Sequence, residues 1–177
     1  MENDRFGLGG KVALVTGAGK GFGRAFSLAF AEAGADVICV DIDEKSLKET
    51  TELLKQVGHR VLPLIIDVAK SKGVESMAEQ VLLEFARLDI AVNNAGIIHK
   101  PYRFHEIPLE EWNRLIAIDL TGVFTCMQNE LRMMVKQKSG VIINISSVTG
   151  LIGVNPELTP RASYVAAKHA VIGLTKQ

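Results

Sequence analysis

The stretch VALVTGAGKGFGR, residues 12–24, decides the fold expected of this chain. Its first five residues are apolar or β-branched and predict a buried strand, and four glycines then lead into an amphipathic segment. Glycines at a strand-to-helix turn allow a tight turn, a close backbone approach to a phosphate and close packing of the helix on the strand. The free N–H groups at the start of that helix favour an anion. The stretch therefore predicts a dinucleotide site.

The rest of the chain repeats this order of short apolar runs and longer amphipathic segments. Gly34 and Gly58 each follow an amphipathic segment and predict helix ends. The alternation predicts one doubly wound α/β domain over residues 1–177, a Rossmann-like three-layer sandwich whose parallel strands are covered on both faces. The predicted strands are 12–16, 37–40, 61–66, 90–93 and 141–146, and the predicted helices are 22–33, 44–56, 74–85, 109–134 (as two helices) and 162–175.

Composition excludes several classes of protein. Hydrophobic residues make up 47% of the 177 residues, and twenty basic residues balance twenty acidic ones, which argues against a nucleic-acid partner. The apolar runs are shorter than the roughly 20 residues that span a bilayer, and the first residues contain no apolar signal segment. The two cysteines, Cys39 and Cys126, are far apart and suggest no disulfide framework. We therefore expect a cytoplasmic protein with no membrane partner.

Polar residues end the second and third predicted strands. Asp41 lies 18 residues beyond Gly23, where an acid can accept hydrogen bonds from both ribose hydroxyls of NAD and would repel the 2′-phosphate of NADP. Lys20, in the glycine turn, would instead attract that phosphate. We expect NAD to be preferred, with NADP left open. Asp67, followed by Val68, is a candidate for the adenine end of the cofactor.

The fourth and fifth strands lead to further candidates. Asn94, Ala95 and Gly96 follow the fourth strand, at the sheet edge where ligands bind in such folds. Tyr164 and Lys168 are four residues apart on the last predicted helix and therefore share a face. A nearby ammonium group favours the phenolate form of a tyrosine, which would suit proton exchange with a substrate.

Four motifs in this order resemble those of the short-chain dehydrogenase/reductase family. They are TGAGKGFG (16–23) for the family's TGxxxGxG, NNAG (93–96), the serine pair that ends at Ser147, and YVAAK (164–168) for YxxxK. The resemblance covers residues 11–177. It implies an NAD(P)-dependent oxidoreductase in which Ser147 holds the substrate oxygen, Tyr164 is the general acid/base, and Lys168 also reaches the nicotinamide ribose.

The resemblance and the strand-end pattern together give the candidate site. The expected reaction is hydride transfer between NAD and a secondary alcohol or ketone. An NADPH-dependent 3-oxoacyl thioester reductase is the alternative within the enzymes, and a non-catalytic dinucleotide-binding or scaffold protein is the alternative outside them. The catalytic candidates are Ser147, Tyr164, Lys168 and Asp119, and the cofactor-binding candidates are Gly17, Lys20, Gly21, Phe22, Gly23, Asp41, Asp67, Val68, Asn94, Ala95, Gly96, Tyr164 and Lys168.

Three features depart from the family pattern. Asp119 stands where the family usually has an asparagine that positions a water linked to the lysine, and an ionised carboxylate would pair with Lys168 if it were close enough. Ser147 and Tyr164 are 17 residues apart, a wider gap than usual, which predicts a longer loop over the substrate site at 153–161. The family also continues for two more strands, a substrate-covering helix and a Pro-Gly turn at the nicotinamide, so we expect a fragment or a truncated form.

Two further expectations concern metals and assembly. The four histidines show no metal-ligand spacing, so we expect no metal, and His99 and His105 fall in a polar loop where we expect them to be solvated. The family usually forms tetramers or dimers through two long helices, here about 119–136 and from 162 onward. Leu131, Met133 and Met134 suit such an interface and suit a core equally.

Overall fold

The computed structural model of the protein describes residues 7–153 and 161–177. Five parallel strands form one sheet in the order β3-β2-β1-β4-β5, with helices packed on both faces, which confirms the doubly wound α/β prediction. The strands are β1 (Val12–Thr16), β2 (Asp36–Asp41), β3 (Val61–Ile65), β4 (Ile90–Asn93) and β5 (Val141–Asn144), and the helices are α1 (Gly21–Glu32), α2 (Glu44–Lys55), α3 (Ser71–Phe85), α4 (Leu109–Ile116), α5 (Val123–Gln137) and α6 (Ala162–Thr175).

Strand β1 lies at the centre of the sheet, and all five of its residues are buried. Successive side chains of a strand point to opposite faces, so β1 contributes to two cores. Leu14 packs with residues of α3 and α5, whereas Val15 packs with residues of α1 and α2. Burying each such side chain contributes about 1.5–3 kcal/mol, which explains why an uninterrupted apolar run occupies the middle of the sheet.

The two outer strands of the described sheet differ from the three inner ones. Side chains of β3 and β5 are substantially exposed, among them Ile65 at 55%, Val141 at 56% and Ile143 at 42%. The prediction of strands covered on both faces is therefore right for β1, β2 and β4 and wrong for β3 and β5. In the described residues, each of these outer strands pairs with one neighbour.

The helices agree with the sequence pattern except in three places, one of which is the end of α5, at Gln137 rather than 134. Gly34 and Gly58 follow α1 and α2 with φ of +97° and +94°, the left-handed conformation expected at helix ends. Helix α3 starts at Ser71 rather than 74, because its exposed polar first turn carries no apolar signal. Helices α4 and α5 are joined by a π-helical segment, Ala117–Gly122, so residues 109–137 form a continuous helical rod.

None of the helices in residues 7–153 and 161–177 has the length and apolar content needed to cross a membrane.

Candidate active site

A cavity of about 370 Å³ opens at the carboxyl edge of the sheet, beside the point where strand order reverses between β1 and β4. The structure brings most of the predicted cofactor-binding residues to its wall. Gly21, Gly23, Tyr164 and Lys168 are not among its lining residues. The predicted residues that line it are Gly17, Lys20, Phe22, Asp41, Asp67, Val68, Asn94, Ala95 and Gly96.

The glycine turn at one end of the cavity depends on close backbone packing. Gly17 has a φ of +67°, a conformation that costs little only for glycine. Gly23 packs directly against the carbonyl oxygen of Gly17, so a Cβ at residue 23 would collide with that oxygen. The side-chain amide of Asn94 donates to the carbonyl oxygens of Thr16 at 2.9 Å and Gly17 at 3.3 Å, which ties the turn to β4.

Asp41 ends β2 at the cavity, and its carboxylate orientation is fixed by two backbone donors. One oxygen accepts from the Gly19 N–H at 2.8 Å, and the other accepts from the Asp43 N–H at 3.0 Å. Farther along the wall, Asp67 accepts from the Ala69 N–H at 2.9 Å. The structure therefore places one carboxylate at the end of β2 and one after the end of β3, as the strand-end pattern predicted.

The shape and donors of this cavity fit a dinucleotide. Helix α1 begins after Lys20 without a side-chain cap, so the N–H groups of its first turn remain available to a phosphate. A Cβ at Gly21 would meet no atom within 4 Å, so the missing side chain leaves the backbone there within reach of that phosphate. Farther along the same wall from the glycine turn, the carboxylate of Asp41 supplies acceptors for ribose hydroxyls.

Behind the other end of the cavity lies a buried ion pair. Asp119 is fully buried in the π-helical segment, and one of its carboxylate oxygens lies 3.5 Å from Nζ of Lys168, which is itself 4% exposed. The other oxygen accepts from the Ile97 N–H at 2.8 Å. Burial raises the pKa of Asp119, and the Ile97 N–H and the Lys168 ammonium oppose that shift. The contact expected between this aspartate and the lysine is therefore present.

Lys168 also joins α6 to the end of the fifth strand, because its Nζ donates to the carbonyl oxygen of Ile145 at 3.0 Å. The same Nζ lies 5.5 Å from the centroid of the Tyr164 ring, as expected for residues that share a helix face. Ser147 accepts hydrogen bonds from the N–H and hydroxyl of Thr149, at 3.2 and 3.1 Å. In the described residues no hydrogen bond joins Ser147 to Tyr164, and the longer loop predicted between them lies mostly outside the described residues.

The loop after β4 contains the two histidines that the sequence placed in solvent. His105 is exposed, with 75% of its side chain accessible. His99 is 6% exposed and contacts the buried hydroxyl of Ser163, so the prediction is wrong for this residue. A polar loop can contain a buried histidine when a partner from a distant element satisfies its ring nitrogens, and the local sequence does not show such a partner.

A family model described as short chain dehydrogenase matches residues 11–177. This chain belongs to the short chain dehydrogenase family. It is 41% identical over 177 residues to a short chain dehydrogenase/reductase, astE, of Aspergillus oryzae, covering 99% of this chain and 66% of the relative. It is 39% identical over 171 residues to the 3-oxoacyl-(acyl-carrier-protein) reductase FabG of Thermotoga maritima, covering 96% of this chain and 67% of that reductase.

A solved structure of NAD⁺-bound xylitol dehydrogenase matches this short chain dehydrogenase with a TM-score of 0.90 at 30% identity. The match covers 95% of this chain and 63% of the xylitol dehydrogenase chain. The chain thus spans about two thirds of the length of the relatives that it matches. The relatives are named as oxidoreductases, and the resemblance inferred from the four motifs is confirmed.

The structure of this family member also reveals a buried carboxyl group that the sequence analysis missed. Glu130 of α5 is fully buried, and burial raises its pKa to about 7. The Asn93 amide donates to one oxygen of Glu130 at 3.0 Å and to Asn144 at 3.0 Å, which links α5 to β4 and β5. Glu130 follows Cys126 by four residues and precedes Met133 by three, a helical spacing that could have placed it on the buried face.

The interface candidates of the two long helices separate into core and surface. Met133 and Met134 are buried in the core, whereas Leu131 is 45% exposed. Phe124 and Val135, at 47% and 70% exposed, lie seven residues before and four residues after Leu131, which puts all three on one face of α5. Within the described ranges 7–153 and 161–177, no cluster of three metal-ligating side chains occurs.

Proposed function

We propose that this protein is an NAD-dependent oxidoreductase that interconverts a secondary alcohol and a ketone. One observation carries the proposal: the buried Asp119–Lys168 pair lies immediately behind the wall of the dinucleotide cavity. A Cβ on Gly96, which lines the cavity, would lie 3.0 Å from a carboxylate oxygen of Asp119 and 3.5 Å from Nζ of Lys168. The groups suited to proton transfer are therefore adjacent to the groups suited to holding the cofactor.

The residues that line the cavity, together with Gly21, Gly23, Tyr164 and Lys168 beside it, would share the contacts to the cofactor. The turn at Gly17, Gly21, Phe22 and Gly23 would hold the pyrophosphate, and Asp41 would accept from the adenosine ribose hydroxyls. Asp67 and Val68 would contact the adenine, and Asn94, Ala95 and Gly96 would line the path toward the nicotinamide ribose, which Lys168 and Tyr164 would reach. The nicotinamide, when bound, accepts or donates the hydride.

The proton is the part of the reaction that the chain itself would handle. Tyr164 would exchange it with the substrate oxygen, and the ammonium of Lys168 would stabilise negative charge on the phenol oxygen. Ser147 would hold the same substrate oxygen by a hydrogen bond. Lys168 is held in place for this role by the carbonyl oxygen of Ile145 and by Asp119.

Asp119 would orient Lys168 by charge rather than through the amide that the family usually has. A carboxylate accepts hydrogen bonds but does not donate them. The Asp119 oxygen that does not bind the Ile97 N–H can therefore pair only with a donor such as the lysine ammonium. Because the Ile97 N–H occupies the other oxygen, the carboxylate cannot rotate away from Lys168 without losing a hydrogen bond. The replacement is therefore compatible with catalysis and does not favour a purely non-catalytic binding protein.

NAD is the proposed cofactor because the Asp41 carboxylate lies in the cavity wall with its orientation fixed. An NADPH-dependent 3-oxoacyl thioester reductase is the second candidate. It is favoured by the exposed Lys20, which lines the same cavity, and by the 39% identity to FabG of Thermotoga maritima. Asp41 opposes it, since two negative charges would meet at the 2′ position.

The test is a fluorescence titration of the 177-residue chain with NADH and, separately, with NADPH. We expect NADH to bind at least about tenfold more tightly, a difference of about 1.4 kcal/mol. The variant Asp41→Asn keeps an oxygen that can accept from the Gly19 N–H but loses the charge. Asp41→Asn should therefore reduce the preference for NADH over NADPH, mainly by tightening NADPH binding.

Lys20→Ala is the matched control for the opposite charge. It should weaken NADPH binding and leave NADH binding nearly unchanged, because NADH has no 2′-phosphate. A preference for NADPH in the unaltered chain would favour the reductase candidate. Failure to bind either dinucleotide would contradict the proposed function for this chain.

We also propose that the protein assembles with copies of itself in the cytoplasm. Phe124, Leu131 and Val135 are exposed on one face of α5, and such a face is stabilised when a second apolar surface covers it. The proposed substrate is a small molecule, and the balance of twenty basic and twenty acidic residues offers no electrostatic footprint for nucleic acid.

A further inference from the structure

His99 is buried between the cavity wall at Gly96 and helix α6. It lies three residues beyond Gly96 and is 6% exposed. Its Nε2 contacts Oγ of Ser163, and its Nδ1 contacts the carbonyl oxygen of Lys100. The ring also packs against Tyr102, with 5.6 Å between the ring centroids.

The two partners of His99 define which of its nitrogens carries the hydrogen. The Lys100 carbonyl can only accept, so Nδ1 of the imidazole must be the donor. In the neutral ring Nε2 then has a lone pair, and the hydroxyl of Ser163 donates to it. Ser163 is fully buried, and among residues 7–153 and 161–177 the partner of its hydroxyl is His99.

Ser163 lies in the first turn of α6 and immediately precedes Tyr164. The residue at the N-cap of this helix, Arg161, makes no side-chain capping bond. The hydrogen bond that Ser163 donates to His99 therefore ties this turn to the loop after β4. Movement of Ser163 would change the direction in which the neighbouring Tyr164 side chain leaves the helix.

The loop that contains His99 is attached to the catalytic groups at a second point. The N–H of Ile97 donates to Asp119, and Asp119 pairs with Lys168. One short segment of chain thus contacts the residue next to Tyr164 and the residue that orients Lys168. The same segment begins at Gly96, in the wall of the dinucleotide cavity.

We propose that His99 is a positioning residue, which sets the placement of Tyr164 relative to the dinucleotide cavity through its hydrogen bond to Ser163. The proposal rests on the proposed function, because it assigns a purpose to the placement of Tyr164. His99 lies outside the four family motifs. The proposed role explains why an imidazole, and not merely an apolar side chain of similar size, is buried at this position.

The hydrogen bond itself is tested by NMR on the 177-residue chain, without any need for activity. Long-range proton–nitrogen correlation of the imidazole rings distinguishes the two neutral tautomers. We expect His99 to carry its hydrogen on Nδ1 and its Nε2 signal to shift in Ser163→Ala. An Nε2–H tautomer, or a signal unaffected by Ser163→Ala, would overturn the proposal.

The effect on Tyr164 is tested with 3-fluorotyrosine. The sequence contains two tyrosines, so the fluorine spectrum has two signals, and Tyr102→Phe assigns the one that belongs to Tyr164. In this background His99→Ala should shift or broaden the Tyr164 signal, and His99→Gln, whose amide oxygen can accept from Ser163, should restore it. His105→Ala removes an exposed histidine of the same loop and should leave the signal unchanged.

Kinetics complete the test. We expect His99→Ala to lower kcat on the order of tenfold, with the dissociation constant for NADH unchanged, and His99→Gln to recover most of the loss. A parallel loss of NADH binding and kcat would indicate general disruption and overturn the positioning role, as would an unshifted Tyr164 signal in a folded His99→Ala. Failure of the unaltered chain to bind NADH would instead contradict the proposed function, and the tautomer and fluorine results would still be readable.

Discussion

Around β1 and β2 the candidate site consists of backbone packed against backbone, whereas around β4, β5 and α6 it consists of buried polar side chains in pairs. In the first region, which we term the cofactor half, Gly23 lies against the carbonyl of Gly17. In the second, the catalytic half, Asp119 pairs with Lys168 and Asn93 donates to Glu130. We therefore expect the cofactor half to lose stability and cofactor binding when an atom is added to its backbone contacts. We expect the catalytic half to lose stability when a charge or a hydrogen-bond donor is changed.

The largest effect is expected from Gly23→Ala, which adds one methyl group to the cofactor half. The new Cβ would collide with the Gly17 carbonyl and approach the Asn94 amide nitrogen to 2.7 Å. Overpacking against backbone should lower the free energy of unfolding by about 3 kcal/mol and abolish NADH binding. Urea unfolding and the fluorescence titration measure the two effects.

Gly173→Ala is the matched control, since an added Cβ there meets no atom within 4 Å. It lies in the last turn of α6, where alanine is still the better helix former, so a gain of at most about 1 kcal/mol is expected. Similar small changes in both variants would show that the glycine turn does not depend on close packing.

A smaller effect is expected from pH acting on Glu130 in the catalytic half. Burial raises its pKa from 4.5 to about 7, so between these values the native state holds a proton that the unfolded state has released. Its contribution to stability is complete below pH 4.5 and is lost as pH rises through about 7. The free energy of unfolding should fall by about 2 kcal/mol from pH 5 to pH 7.

Glu130→Gln should remove that slope, because the amide does not titrate in this range. Urea unfolding at several pH values in both proteins measures the difference. Glu79→Gln, at an exposed carboxylate of α3, should leave the slope as it is. A slope that survives Glu130→Gln would assign it to other groups.

The smallest effect is expected from Asp119→Asn, which restores the residue type usual in the family. The amide oxygen can still accept from the Ile97 N–H, but Lys168 loses its charged partner while remaining buried. A loss of about 1 kcal/mol in the free energy of unfolding at pH 7 is expected, against less than about 0.5 kcal/mol for Glu79→Gln. Equal values for the two variants would mean that the ion pair adds no stability beyond its hydrogen bonds.

The same contrast explains what the sequence could predict. The strands came within two residues of their observed bounds, because apolar runs in buried strands are a local signal. Nine of the predicted cofactor-binding residues also lie in the cavity wall, since a glycine turn and strand-end polar residues are local signals in the chain. The exposure of β3 and β5 was not, because an apolar run is the same in an inner strand and an outer one.

The polar pairs of the catalytic half were harder to predict because their partners are far apart in the chain. His99 and Ser163 are separated by 64 residues, and Asn93 and Glu130 by 37. In a single sequence each of these four residues looks like any other polar residue. Only the tertiary structure shows that it is buried and which partner it contacts. The Asp119–Lys168 contact was anticipated as a possibility only because the family motif placed an amide at that position.

The π-helical segment Ala117–Gly122 changes the directions in which side chains point around the axis of the long helical rod. Each residue of an α-helix advances the direction of its side chain by about 100°. A wider turn in mid-rod resets this advance, so Leu115 before it and Val123, Cys126 and Glu130 after it can all face inward, with Asp119 turned toward α6. Removing one residue from the segment would preserve the length of the rod almost unchanged, yet it would rotate every side chain of α5 by more than a quarter of a revolution relative to the sheet.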